Sequence, residues 1–188
     1  RVLFLQGGDY SSPLELWATD GTAAGTLRLG VLTQQSGATG ALARKADGDY
    51  LLLVWEHFAS LAVWRSDGTA AGTVPTSPID LGSTSFSVRA FAATPDGIYF
   101  LIDGGALGAR QLWYSGGTVA ETRWLGDFEA GVWAGLVAHD GAVYFAAEAF
   151  GGAGIWRSDG TVATTRRIVE LASVAVSADS FAFLDDRI

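Results

Sequence analysis

The stretch "VWRSDGTAAGT" at residues 63–73 decides how the sequence is read, because it occurs four times. It returns as "LWATDGTAAGT" at 16–26, "LWYSGGTVAET" at 112–122 and "IWRSDGTVATT" at 155–165. The shared tryptophans are Trp17, Trp64, Trp113 and Trp156, at intervals of 47, 49 and 43 residues. Gly21-Thr22, Gly68-Thr69, Gly117-Thr118 and Gly160-Thr161 follow at a fixed distance, and a second threonine (Thr26, Thr73, Thr122, Thr165) closes each copy. Asp20, Asp67 and Asp159 precede the glycine, whereas the third copy has Gly116 there and Glu121 in place of the second glycine. Such self-similarity at a fixed period is the signature of a repeat architecture.

Outward from these markers, Asp47-Gly48, Asp96-Gly97 and Asp140-Gly141 precede the later tryptophans, and Asp179-Ser180 starts the series again. After these turns come "YLLLVW", "IYFLI", "VYFAA" and "FAFL", and "VLFL" opens the chain in the same register. They are short, aromatic or β-branched, and bounded by Gly and Asp, as strands are. A further strand carries each tryptophan, another follows each DGT turn ("TLRLGVL", "TRRIVEL"), and a last one precedes each Asp-Gly ("SVRAFAA", "WAGLVAH"). No stretch has helical periodicity over three turns. Four short strands in a period of about 45 residues predict an all-β fold, a β-propeller of about four four-stranded blades forming one repeat domain over 1–188.

With 188 residues the chain is long enough for a substantial core, and at 49% hydrophobic and 17% charged it is not a disordered one. Its net charge of −8 and its scattered arginines exclude the clustered basic face that nucleic acid requires. The apolar runs are too short to span a bilayer as helices, so no membrane insertion is expected. The chain has no cysteine, which removes disulfides and thiolate metal sites. It opens at Arg1 and contains no methionine, which reads as a processed or excised piece, so the lack of a signal peptide within it carries no weight.

The motif "ELWATDGTAAGT" at residues 15–26 resembles the bacterial ELWxxDGT repeat, and the other three copies are degenerate versions of it. The resemblance runs at blade period along the chain. It implies a propeller-like repeat domain of exported or surface proteins, hence an extracellular or cell-surface location, and it supplies no catalytic residues.

The recurring turn has a structural reading and a functional one. Asp before Gly suits a tight hairpin, because the carboxylate accepts backbone N–H groups while glycine adopts positive φ freely. A threonine hydroxyl can close the same network, and the tryptophan supplies a large apolar body to pack between blades. The alternative makes Asp20, Asp67 and Asp159 cation ligands, but the third copy keeps its tryptophan without that aspartate. Gly21, Thr22, Gly68, Thr69, Gly117, Thr118, Gly160 and Thr161 are therefore read with those aspartates as a structural joint.

Function is then expected on less repetitive positions. Glu56, Asp103, Glu148 and Asp185 recur at the end of the second strand of each unit, where they would hold Ca²⁺, attract a cationic partner, or simply be solvated turn residues. No dense calcium-loop motif accompanies them, and no other cofactor is expected. A position seven residues before each turn aspartate varies between copies: Gly40, Arg89, Trp133 and Ala172. With Trp55, Glu56 and His57, the residues Arg89 and Trp133 form a candidate surface for a sugar ring or a peptide; the alternative is that the tryptophans fill gaps between blades.

Enzymatic motifs are missing, and His57 and His139 are the only histidines. Three functions remain in order. The first is a non-catalytic, exported binding or adhesion module for a glycan, peptide or protein at the cell surface. The second is a structural module that pairs with neighbouring copies or domains of one assembly. The third is a carboxylate-based enzyme acting on polysaccharide, through Glu56, Asp103 or Glu148. The ring is expected either to close at four blades or to be an arc of a larger one; the second-strand pattern repeated in "FAFLDDRI" favours the arc.

Overall fold

A computed structural model of the chain describes residues 1–9, 11–35, 37–56, 60–79, 86–104, 110–129, 135–149 and 152–173. Among these residues the secondary structure is all β, without a helix. Strands β1 (Val2–Gln6), β2 (Leu14–Thr19) and β3 (Leu27–Thr33) form a three-stranded sheet. The second sheet contains β4 (Ala38–Arg44), β5 (Tyr50–Glu56), β6 (Leu61–Ser66) and β7 (Val74–Pro78). The third contains β8 (Ser87–Thr94), β9 (Gly97–Asp103), β10 (Arg110–Ser115) and β11 (Thr122–Phe128). The fourth contains β12 (Val137–His139), β13 (Ala142–Ala149), β14 (Gly152–Ser158) and β15 (Arg166–Glu170). In each sheet the strands lie side by side in chain order and every pairing is antiparallel. The repeat period is thus one sheet.

By their contacts the residues fall into two compact units, Arg1–Ser85 with Gly117–Val119, and Phe86–Gly116 with Ala120–Ile188. The two are built alike. In the first, Leu14, Leu16 and Leu29 of the first sheet form a core with Leu52 and Val54 of the second, against which Trp64 packs. In the second, Tyr99, Leu112 and Phe128 of the third sheet form a core with Val143 and Phe145 of the fourth, against which Trp156 packs. Because side chains alternate across a strand, the residue before each tryptophan points to the opposite face. The leucine face of the earlier sheet therefore meets the tryptophan face of the later one. The second strands read as unbroken apolar runs for the same reason: Leu51, Leu52 and Leu53 are buried on both sides, as are Ile98 to Ile102.

Each repeat tryptophan lies directly across from a large apolar residue on the second strand: Phe4, Leu52, Phe100 or Phe145. Three of these pairs are stacked aromatics, Phe4–Trp17, Phe100–Trp113 and Phe145–Trp156. On the tryptophan's other side the pairing slips by one residue in all four sheets. The extra residues are Leu29, Thr76, Leu125 and Ile168 on the outermost strands, a β-bulge at the same place each time. The bulge turns Leu29 and Leu125 into the core. At Thr76 the hydroxyl instead donates to the carbonyl of Val63 at 2.5 Å. A bulged outer strand, interrupted in β7 by Pro75 and Pro78, is also a poor template for edge-to-edge pairing.

Truncating Leu16, which has no exposed surface, to alanine is expected to destabilise the protein by about 2–5 kcal/mol. Leu27→Ala on the exposed start of β3 should stay within about 0.5 kcal/mol of wild type. Urea denaturation of the two variants checks both, and equal losses would contradict the packing described.

Candidate functional site

The recurring hairpin between the third and fourth strands is the most highly organised polar site in the described chain. The strand before it ends in Thr19, Ser66, Ser115 or Ser158, two residues after the tryptophan. In every copy that hydroxyl meets the hydroxyl of the second threonine: Thr19–Thr26 at 2.7 Å, Ser66–Thr73 at 2.8 Å, Ser115–Thr122 at 2.7 Å and Ser158–Thr165 at 2.8 Å. Thr26, Thr73 and Thr165 also donate to the carbonyls of Thr22, Thr69 and Thr161, so the first hydroxyl donates to the second. It accepts in turn from the N–H of Gly21, Gly68 or Gly160. Ser66, Ser115 and Ser158 are fully buried, and a buried hydroxyl is stable only when its bonds are made.

The aspartate adds a second layer. Oδ1 of Asp20 accepts the N–H of Thr22 at 2.9 Å and its hydroxyl at 2.7 Å, and Asp67 treats Thr69 in the same way at 2.8 and 2.7 Å. These bonds to the ionised form hold both carboxyls below their usual value, the threonine hydroxyl contributing most. The second glycine leaves the carboxylate its place where the backbone passes over it. A Cβ on Gly25 would lie 2.0 Å from Asp20 Oδ1, and one on Gly72 would lie 2.1 Å from the Asp67 carboxyl. In the fourth copy Thr164 replaces that glycine and its hydroxyl donates to Asp159. In the third the two positions are exchanged: Gly116 stands where the aspartate was, and a Cβ there would lie 3.1 Å from the Glu121 side chain. An acid on one side is matched by a small residue on the other.

The glutamate of the ELW motif also has a role. Trp17 Nε1 donates to Glu15 at 3.0 Å, and Arg28 donates to the other oxygen of that carboxylate at 2.8 Å. Trp113 Nε1 donates to Gln111 at 3.2 Å, the residue at the same position of its copy. Trp156, which follows Gly154 there, donates to the carbonyl of Ala147 at 3.3 Å. Glu15 and Gln111 fix the indole, and the (i, i+2) spacing on one strand face was the signal for it.

At the opposite end of the sheets lie the other candidates. Arg89 occupies a bulge in β8, between Val88 and Ala90, and donates through Nε to Asp103, the last residue of β9. Arg110, the first residue of β10, donates Nε to the second oxygen of Asp103 at 2.6 Å. Two residues selected separately from the sequence are thus an ion pair. Glu56 accepts the hydroxyl of Thr33, which ties the first sheet to the second, and its N–H donates to Ser60. Glu148 is half-buried and its carbonyl accepts the N–H of Glu129 at 2.8 Å. Trp55 is half-buried near the end of β5, paired with Thr39 and Leu61. Gly40, at the position equivalent to Arg89, is there because β4 approaches the first sheet closely: a Cβ would lie 2.8 Å from Leu5 Cδ1. His57, Trp133 and Asp185 lie outside the described residues. Among the described residues no three His, Asp or Glu side chains gather as metal ligands. Among them, too, no helix is long and apolar enough to cross a membrane.

No protein-family model matches the chain, and no curated protein matches it in sequence.

The exchanged third copy is testable by a double-mutant cycle. Gly116→Asp puts two carboxylates side by side and Glu121→Gly removes the acid from the hairpin, so each is expected to destabilise by about 0.5–2 kcal/mol; the double variant should recover most of that. Additive losses in chemical denaturation would refute the exchange. A second test uses pH. A carboxyl lowered in the folded state contributes stability that is complete above its ordinary value of 3.8 and lost as pH falls through the folded value. Thr22→Ala with Thr69→Ala should therefore flatten the fall in thermal stability below that value, and an unchanged profile would remove these aspartates from the acid transition.

Proposed function

We propose that this chain is a non-catalytic binding module of the β-propeller kind, exported and related to the ELWxxDGT repeats, that presents its connecting segments to a glycan, peptide or surface polymer. One observation carries this reading: the two ends of each sheet are built differently. In an antiparallel meander the connections alternate between ends. At one end the hairpins 20–26, 67–73, 116–121 and 159–165 are nearly equal in length and share one hydroxyl network. At the other, the connections 7–13, 34–37, 57–60, 79–86, 104–109, 129–136 and 150–151 differ in length and composition. A fixed frame at one end and variation at the other is how loop-based recognition is built on a repeat scaffold. Arg89, Asp103, Glu56 and Trp55 each lie at the variable end of their own sheet.

A self-assembly module is the second reading. It is favoured by Leu27, Val74, Trp124 and Val169, large apolar residues exposed on outermost strands. A glycan and polymer array, probed in calcium and again with chelator, separates the two. Binding weakened by Arg89→Gln, Trp55→Phe or Trp133→Phe supports the proposed end, and dependence on calcium assigns the acidic positions Glu56, Asp103, Glu148 and Asp185 to the site. A blank array with folded protein, together with concentration-dependent association in sedimentation, overturns the binding reading in favour of assembly.

A further inference from the structure

Seven Asp-Gly pairs lie in the described chain, at Asp20, Asp47, Asp67, Asp96, Asp103, Asp140 and Asp159. Asp-Gly is chemically unstable because glycine leaves its backbone nitrogen unshielded. That nitrogen attacks Cγ of the protonated aspartate, an N–Cγ bond forms, and the carboxyl oxygen leaves as water with the amide proton. Water then opens the resulting five-membered imide. Cleavage between the main-chain carbonyl and that nitrogen leaves an isoaspartyl residue, whose backbone runs through Cγ. The sum is an isomerisation, with no other reactant.

Six of the seven pairs are closed to this attack. Asp20 and Asp67 have their carboxylates held by Thr22 and Thr69, while the Gly21 and Gly68 nitrogens donate to Thr19 and Ser66. Asp159 is held by Thr164, and the Gly160 nitrogen donates to Ser158. Asp47 accepts from Asp49 and Lys45, and the Gly48 nitrogen donates to the Lys45 carbonyl at 3.2 Å. Asp103 is clamped by two arginines. Gly97 is buried as the first residue of β9, where it is paired with Thr94.

The seventh pair is different. Asp140 and Gly141 are the two residues of the tight turn between β12 and β13, with φ of +46° and +72°. Positive φ at both positions is the twist-matched hairpin turn that favours Asp-Gly. Asp140 is exposed, and among the described residues neither the Asp140 carboxylate nor the Gly141 N–H has a partner. Asp140 is also the one described non-glycine residue with positive φ.

We propose that Asp140–Gly141 is a site of spontaneous aspartate isomerisation, to which the other six pairs are closed by the structure. The product adds a methylene to a two-residue turn. It thereby shifts the pairing of β12, which meets β13 through only Val137, Ala138 and His139. The site lies at the hairpin end of the fourth sheet, away from the variable connections.

The test is to age the folded chain at body temperature and mildly acidic pH beside the same chain in urea, then measure isoaspartyl content at all seven pairs by peptide mapping. In urea the seven should age alike. In the folded chain Asp140 should lead each of the others by at least about fivefold, the factor that one hydrogen bond of net 1 kcal/mol is worth. Asp140 ageing no faster than Asp20 or Asp67 would overturn the proposal. Thr22→Ala, with folding verified by circular dichroism, should raise isomerisation at Asp20 and leave Asp140 unchanged; no rise at Asp20 would refute protection by the threonine.

Discussion

Each sheet depends on two hydroxyls that meet across its outer hairpin. Thr19 with Thr26, and its three counterparts, join the end of the third strand to the start of the fourth. In the first, second and fourth copies the hydroxyl hydrogens are committed in sequence, the second threonine to the carbonyl at the turn and the first to the second threonine. One chain of bonds therefore satisfies the glycine N–H, both hydroxyls and a carbonyl of the turn. It also sets where the fourth strand begins, and so where its bulge falls opposite the tryptophan. Polar satisfaction at the hairpin and apolar packing one turn away are a single geometric commitment.

From that commitment the packing follows. The tryptophan and the residue before it face opposite ways, so a sheet of this kind has two apolar faces and must be covered twice. In both units the leucine side of one sheet receives the tryptophan side of the next, with Phe128 meeting the Trp156 ring edge-on at 5.1 Å and 88°. The tryptophan is an inter-sheet residue at Trp64 and Trp156. At Trp17 and Trp113 the contacts described are with phenylalanines of the same sheet.

Much of this was legible in the sequence because it is periodic. The strands, the hairpins and the order of strands within a sheet follow from spacing alone. The serine or threonine two residues after each tryptophan is equally periodic, but its two chemical identities hide one hydroxyl. The bulge had no local signal: register is a property of two strands, and one strand's pattern does not state it. Gly116 and Glu121 read as decay when taken singly and as compensation only when the backbone brings them together. At the other end of the sheets, Asp103 and Glu56 read as cation ligands, as attractors of a cationic partner or as solvated turn residues. Their partners Arg110 and Thr33 come from other strands, a proximity no spacing rule contains. The spacing marked Gly40 as a variable position, but nothing in it says that the first sheet presses on that residue.

The exchange at Gly116 and Glu121 has a consequence for how such a chain can change over generations. To pass from acid-first to acid-last, a hairpin must lose one carboxylate before gaining the other, or carry both at once. Carrying both crowds two negative charges onto one turn. Losing one leaves the hydroxyl pair in place, and Ser115 with Thr122 demonstrates that this pair persists without the aspartate. Either intermediate weakens the hairpin, but the hydroxyl pair does not need the aspartate and helps to hold the turn along the path. Because the four hairpins are separate, each copy can take that path alone, and the motif can drift in one sheet while its siblings stay as they were.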